Sequence, residues 1–91
     1  MAAVAFADVE ITEFIWTDHA LDRIAERGVT RSEVQAAIRE AHEDRVSNLG
    51  RADWLVATTT ESGIRIEAIY DHPYRGDEIT ARIVSVWRVD G

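Results

Sequence analysis

The sequence contains no cysteine, which excludes a disulfide framework, a thiol redox motif and a thiolate metal site. It also contains no lysine, so its ten basic residues are all arginines, and seventeen acidic residues outnumber them. The formal net charge of -7 argues against general binding to nucleic acid, which needs a basic face that releases counterions. A local cluster of arginines remains compatible with this balance, because a guanidinium group binds phosphate through two parallel N–H donors.

Long apolar runs are also missing, and none approaches the roughly 20 residues that a membrane span requires. The apolar start of the chain has no basic segment, so we predict no membrane association, no secretory signal and a cytoplasmic location. A chain of 91 residues fits one domain and is too short for a barrel or a doubly wound nucleotide-binding fold. We predict an N-terminal arm over residues 1–10 and a single domain over residues 11–91.

Two helices are predicted in the N-terminal half of the chain. Thr17 is a suitable N-cap for the first helix, and Gly28 provides a left-handed residue to end it. Thr30 and Glu33 have the spacing of a capping box at the start of the second helix, which is predicted to end near Glu43. The apolar residues of the second helix form one amphipathic face: Val34, Ala37, Ile38 and Ala41.

The C-terminal half alternates with a period of two, which indicates β-strands. Three strands are predicted at residues 54–60, 64–70 and 78–89. A hairpin turn at residues 61–63 joins the first two strands, and a longer turn at residues 71–77 joins the last two. A further short strand is predicted at residues 11–16. We therefore expect an α+β fold, in which two N-terminal helices pack on one face of an antiparallel β-meander of three to four strands.

The alternation also predicts which residues share a face of the sheet. Tyr70 and Trp87 fall among the apolar residues that should face the helices. The opposite, open face is predicted to carry the charged residues of these strands: Arg65, Glu67, Arg82 and Arg88. The length of the turn places Glu67 roughly opposite Arg82, where the two side chains can form a cross-strand ion pair.

The first helix carries one candidate site, because His19, Arg23 and Arg27 are spaced to share a helical face. Cleavage of RNA by its own 2′-hydroxyl needs a base, an acid and positive charge, and histidine with arginine can provide all three. The residues alone favour structural roles instead. His19 would cap or pack the first turn, and Arg23 would pair with Glu26. Arg27 would bind carbonyl groups at the helix end.

The open face of the sheet carries a second candidate set, formed by Arg65, Arg82 and Arg88, with Arg51 in a nearby loop. An arginine-lined face can bind phosphate and, beside an aromatic ring, stack a base. The alternative is a solvated face on which Glu67 and Arg82 pair with each other.

The remaining histidines do not predict a metal site. His42 lies near the end of a helix and fits a surface position, and His72 precedes the single proline in a turn. No two histidines have the spacing of metal ligands, and there is no Ser–His–Asp arrangement or glycine-rich phosphate loop. We therefore expect neither a metal nor a cofactor.

The segment from His19 to Thr30 has the sequence H-A-L-D-R-I-A-E-R-G-V-T. It resembles the signature H-A-x-x-R-x-x-E-R-G of domain-of-unknown-function family 4258, which continues with Val or Ile and then Ser or Thr. That family is grouped with the BrnT toxins, whose fold is similar to that of RelE-type ribonucleases. Gly50-Arg51 and the closing strand I-V-S-V-W at residues 83–87 are also similar to parts of these domains.

The resemblance implies a toxin domain of a bacterial toxin–antitoxin system, a metal-independent endoribonuclease that an antitoxin protein holds inactive. The catalytic candidates under this hypothesis are His19, Arg23, Arg65 and Arg82. The candidates for binding RNA phosphates are Arg27, Arg51 and Arg88.

A non-catalytic interaction module of the same fold is the alternative. Its acidic surface would suit a basic protein partner, and an exposed sheet edge could pair with a partner strand or with a second copy in a homodimer. A third hypothesis is a regulatory domain that senses a small anion through its arginines. A continuous positive patch would favour the nuclease, and an unbroken acidic surface would favour the module.

Overall fold

The computed structural model describes residues 10–41, 43, 45–47 and 52–89, and it contains the two expected helices, α1 (Asp18–Arg27) and α2 (Arg31–Glu40). The side chain of Thr17 caps α1, and Gly28 ends it with a left-handed φ of 70°. Thr30 and Glu33 form a complete capping box at the start of α2. These caps confirm the local signals read from the sequence, although α2 ends at Glu40, earlier than predicted.

The sheet has five strands: β1 (Glu13–Trp16), β2 (Arg45–Val46), β3 (Trp54–Thr59), β4 (Arg65–Asp71) and β5 (Thr80–Arg88). Their order across the sheet is β1-β5-β4-β3-β2. The last three strands form the expected antiparallel meander, and the short β2 extends it. β1 joins the other edge in parallel with β5.

The hydrophobic core lies between the helices and one face of the sheet. α1 packs mainly on β5, and α2 packs beside β3. Ile38 of α2, Ile66 and Tyr70 of β4, and Ile83 of β5 are fully buried in this core. The α+β class and the two helices are thus as predicted.

The strand count and the purely antiparallel arrangement were predicted incorrectly. The five-stranded sheet is mixed, because β1, the first strand of the chain, pairs in parallel with β5, the last strand. β2 has only two residues and no alternation long enough to detect from the sequence.

A β-bulge changes the faces predicted for the end of β5. Ile69 pairs with Ser85, but the next residue of β4, Tyr70, pairs with Ile83, so Val84 is an extra residue in β5. Such an insertion reverses the alternation of side chains beyond it.

Trp87 and Arg88 consequently exchange faces relative to the prediction. Trp87 lies opposite Glu67 on the open face, and Arg88 lies opposite Ile66 on the helix side of the sheet. The expected Glu67–Arg82 pair is also wrong, because Arg82 lies opposite Asp71.

Some predictions concern residues outside the described part of the chain. These include Arg51, His42 and the predicted arm except for its last residue, Glu10, which forms an ion pair with Arg39 at 3.6 Å. No helix in the described ranges is long and apolar enough to cross a membrane.

Candidate functional site

His19 lies at the start of α1, beside the edge of β5 where β1 has ended. The chain is fastened there by Thr17, whose N–H donates to Ile83 O at 3.2 Å and whose hydroxyl donates to Val84 O at 3.0 Å. His19 is exposed, and its Nε2 lies 3.0 Å from the hydroxyl of the buried Ser85. The contact with Ser85 orients an accessible imidazole at this edge of the sheet.

The arginines that follow His19 on α1 are Arg23, which forms an ion pair, and Arg27, which is exposed. Arg23 Nη1 lies 2.7 Å from Glu26 Oε1 in an exposed ion pair, which is the structural alternative considered above. Exposed pairs of this spacing contribute only about 0.3 to 0.5 kcal/mol, but the carboxylate neutralises the guanidinium locally. Arg27 is in the last turn of α1 and is exposed, where its charge complements the helix dipole.

Arg82 belongs to a small cluster at one end of the open face. Its Nη1 lies 3.4 Å from Asp71 Oδ2, and its guanidinium carbon lies 5.9 Å from the centre of the Tyr74 ring. The guanidinium carbon of Arg75 lies 5.2 Å from the same centre. Two guanidinium groups therefore lie beside one aromatic ring, and the carboxylate of Asp71 pairs with one of them.

The other sheet arginines are not brought to this cluster. Arg82 pairs with Asp71, which is six residues from Arg65 along β4, so the two arginines lie about 20 Å apart along the strand direction. Arg88 is near Arg65 in register but lies on the opposite face. In the described part of the chain, Arg65, Arg82 and Arg88 therefore do not lie together on one surface.

Trp87 is half-buried on the open face, and its indole N–H donates to Glu67 Oε1 at 3.0 Å. The carboxylate predicted to pair with Arg82 is thus held by an aromatic residue that was predicted to lie in the core.

His72 is part of a buried network that the sequence did not indicate. Its side chain is 8% exposed, with Nδ1 at 3.3 Å from Glu43 Oε2 and Nε2 at 2.8 Å from Glu78 O. The hydroxyl of Tyr70 accepts from the N–H of Glu43 at 2.6 Å, and the indole of Trp54 donates to His72 O at 2.9 Å. These contacts join the turn after β4 to the segment before β2, so the network holds the sheet together at this end.

The outer edge of β3 is a site that the prediction did not single out. Thr60 N–H donates to Ile64 O towards β4 at 2.8 Å, and Asp53 O accepts from Ser47 N–H on the other side at 2.9 Å. The main-chain groups of successive residues point to alternate edges of an antiparallel strand. Ala57 and Thr59 therefore direct their N–H and C=O groups outward.

No described strand covers these two residues, because β2 extends along β3 only as far as Leu55. Such an edge is a ready template for pairing with another extended chain. The edge of β3 from Val56 to Thr59 is called the free edge below.

A cleft flanks the free edge on each face of the sheet, and Thr58 and Thr59 line both. The helix-side cleft, between α2 and β3, measures about 320 Å³ and contains only acidic charged residues: Glu33, Glu40 and Glu61. The open-face cleft measures about 330 Å³ and contains two arginines and one acid: Arg45, Arg65 and Glu67. The two sides of one strand edge thus differ in charge.

Glu33 links the helix-side cleft to the rest of the fold. Its Oε1 accepts from the N–H of Thr30 at 2.9 Å, and its Oε2 accepts from the N–H of Glu61 at 3.1 Å. These two backbone hydrogen bonds lower the pKa of the Glu33 carboxyl below its ordinary value. The Glu33 carboxylate therefore places a negative charge in this cleft, and its hydrogen bond to Glu61 connects α2 to the β3–β4 turn.

Within the described ranges, no three His, Cys, Asp or Glu residues form a group that could hold a metal ion. The chain matches no protein-family model, no curated protein and no solved structure. The resemblance to family 4258 therefore stays a prediction that rests on the quoted motifs.

Proposed function

We propose that this protein binds an extended segment of a partner protein, which adds as a strand to the free edge of β3. The observation that carries the proposal is the outward direction of the Ala57 and Thr59 main-chain groups beyond the end of β2. In strand addition these groups provide hydrogen bonds, and pockets on both faces receive alternate side chains of the partner. The two clefts beside Thr58 and Thr59 have the positions that this mode of binding requires.

The distribution of charge also supports binding rather than catalysis. Arg23 is paired with Glu26, Arg82 is paired with Asp71, and Arg65 lies at the far end of β4. A ribonuclease must concentrate positive charge around one phosphate, whereas strand addition needs no such concentration.

The proposal is tested by selecting binders from a displayed library of random twelve-residue peptides. The discriminating variant is Thr59→Pro, because proline removes the outward N–H and its ring obstructs the edge. Thr59→Ala is the matched control, since it retains the N–H. Circular dichroism and thermal unfolding check that both variants fold.

We expect peptides selected on the wild-type protein to bind Thr59→Ala equally well and to lose binding to folded Thr59→Pro. Failure to enrich any peptide, or equal binding by folded Thr59→Pro, would overturn the proposal.

A metal-independent ribonuclease is the second candidate, and the cluster around Tyr74 favours it. Arg75 and Arg82 flank an aromatic ring that can stack a base, while their guanidinium groups can bind adjacent phosphates. His19, fixed by Ser85 three residues along β5 from Arg82, would transfer the proton. In this case the protein would be the toxin of a toxin–antitoxin pair and the antitoxin its protein partner.

The ribonuclease candidate is tested by inducing the protein in bacteria and following growth and total RNA. His19→Gln and Arg82→Gln should relieve growth arrest and RNA loss. Arg31→Gln, which removes an exposed arginine of α2, is the matched control and should behave as wild type. Intact RNA with the wild-type protein, or equal RNA loss with His19→Gln and Arg82→Gln, would exclude the candidate site.

A further inference from the structure

We infer that the partner strand alternates basic and acidic side chains, with the basic ones entering the helix-side cleft and the acidic ones the open-face cleft. This inference rests on the proposed strand addition and specifies its ligand. Consecutive side chains of an added strand point to opposite faces of the sheet. Any residue that enters the helix-side cleft is therefore followed by one that faces the open-face cleft.

The helix-side cleft selects for basic side chains. Its charged lining residues are three glutamates, and the Glu33 carboxylate is held in place by the N–H groups of Thr30 and Glu61. Glu40 is exposed at the end of α2, where it can reach a long cationic side chain. A lysine or arginine of the partner would be attracted here, and a carboxylate would be repelled.

The open-face cleft selects for the opposite charge. Arg65 lies opposite Thr59 in the β3–β4 ladder and forms no ion pair with any described residue. The carboxylate of Glu67 already accepts a hydrogen bond from Trp87. A carboxylate of the partner next to Thr59 would therefore lie beside the Arg65 guanidinium and complete an ion pair.

The charge distribution also disfavours a second copy of the chain at this edge. Antiparallel pairing of two β3 strands would continue the sheet with both helix layers on one side. The acidic helix-side clefts of the two copies would then lie beside each other, and their like charges would repel. A heterologous strand with alternating charge avoids this conflict.

The inference is tested with synthetic eight-residue peptides in a fluorescence-anisotropy titration at low ionic strength. One peptide alternates lysine and glutamate along its length. The control peptide has the same composition, with four lysines followed by four glutamates. Even the register centred on its Lys–Glu junction, the one that places both charges in their clefts, directs the flanking lysine and glutamate to the cleft of like charge. We expect the alternating peptide to bind about tenfold more tightly and its advantage to decrease with added salt.

Charge reversals in the protein identify the clefts. Glu40→Lys and Arg65→Glu should each weaken binding of the alternating peptide by about tenfold. Asp22→Lys, an exposed change on α1, is the matched control for Glu40→Lys and should leave binding unchanged.

The outcomes separate the inference from the proposal on which it rests. Library peptides whose binding depends on the Thr59 N–H would support strand addition. If the alternating and block peptides nevertheless bind equally well, the charge inference is wrong and strand addition stands. If no peptide depends on the Thr59 N–H, both are wrong. Equal effects of Glu40→Lys and Asp22→Lys would also overturn the assignment of the helix-side cleft.

Discussion

Ile38 is the residue whose truncation tests most directly how α2 is held beside the free edge. It is 0% exposed and belongs to the core cluster between the helices and the sheet. Ile38→Ala removes three carbon atoms from this cluster and leaves the helix backbone intact, because alanine is the strongest helix former.

The expected loss of stability follows from burial. Three methyl or methylene groups contribute about 2.4 kcal/mol of transfer free energy, and the cavity left behind raises the cost to about 3 to 4 kcal/mol. A chain of 91 residues has a total free energy of unfolding of about 5 to 14 kcal/mol. The single truncation should therefore remove a large fraction of the stability.

Urea unfolding followed by circular dichroism measures this loss. With a slope of about 1 kcal/mol per molar urea, the midpoint should fall by about 3 to 4 M. Ile15→Ala is the matched control, since Ile15 is 44% exposed on β1 and should lose only about 1 kcal/mol. A cost for Ile38→Ala no larger than that for Ile15→Ala would refute the packing of α2 described here.

Three further predictions concern hydrogen bonds. Because the pKa of Glu33 is lowered in the folded protein, its stabilising effect is present above the unfolded pKa and is lost as the pH falls through the folded value. Urea titrations should thus find Glu33→Gln less stable than wild type at neutral pH, with the difference shrinking in acid; a constant difference would contradict this. Thr17→Ala should cost about 1 to 2 kcal/mol by urea unfolding, because one hydroxyl caps α1 and bonds β5, whereas exposed Thr12→Ala should cost little. Trp87→Phe should cost about 1 kcal/mol, and less in a Glu67→Met background, which has no oxygen to accept the indole N–H; an equal cost in both backgrounds would show that the indole bond contributes nothing.

The parts of the fold that could be predicted from the sequence depend on short-range interactions. Thr17, Gly28 and the Thr30–Glu33 pair act within one helical turn of their own positions, so their patterns are sufficient. The β3–β4 hairpin also forms between neighbouring segments, and its turn was predicted correctly at residues 61–63.

The parts that could not be predicted depend on long-range pairing. The alternation of apolar and polar residues in β5 does not reveal the bulge at Val84. This bulge nevertheless places Trp87 and Arg88 on the faces opposite to those predicted. The distance between Arg65 and Arg82 depends on the same register. The arginines predicted to share one face, Arg65, Arg82 and Arg88, therefore lie at three separate places on the sheet.

The candidate binding site was missed for a related reason. Among the described residues, β2 pairs with β3 at Trp54 and Leu55 and leaves the rest of that edge uncovered, and no pattern in the sequence marks a strand of two residues. The predicted meander implied that the sheet has an exposed edge. The position of that edge and the two clefts beside it depend on where α2 and β2 contact β3, which the sequence does not reveal.

The most direct test of strand addition is amide hydrogen exchange by NMR with and without the alternating lysine–glutamate peptide. We predict that the peptide slows exchange at Ala57 and Thr59, whose N–H groups point outward, and leaves Val56 and Thr58, which point towards β4, nearly unchanged. Protection that ignores this alternation, or none at Ala57 and Thr59 when the peptide is bound, would contradict pairing at the free edge.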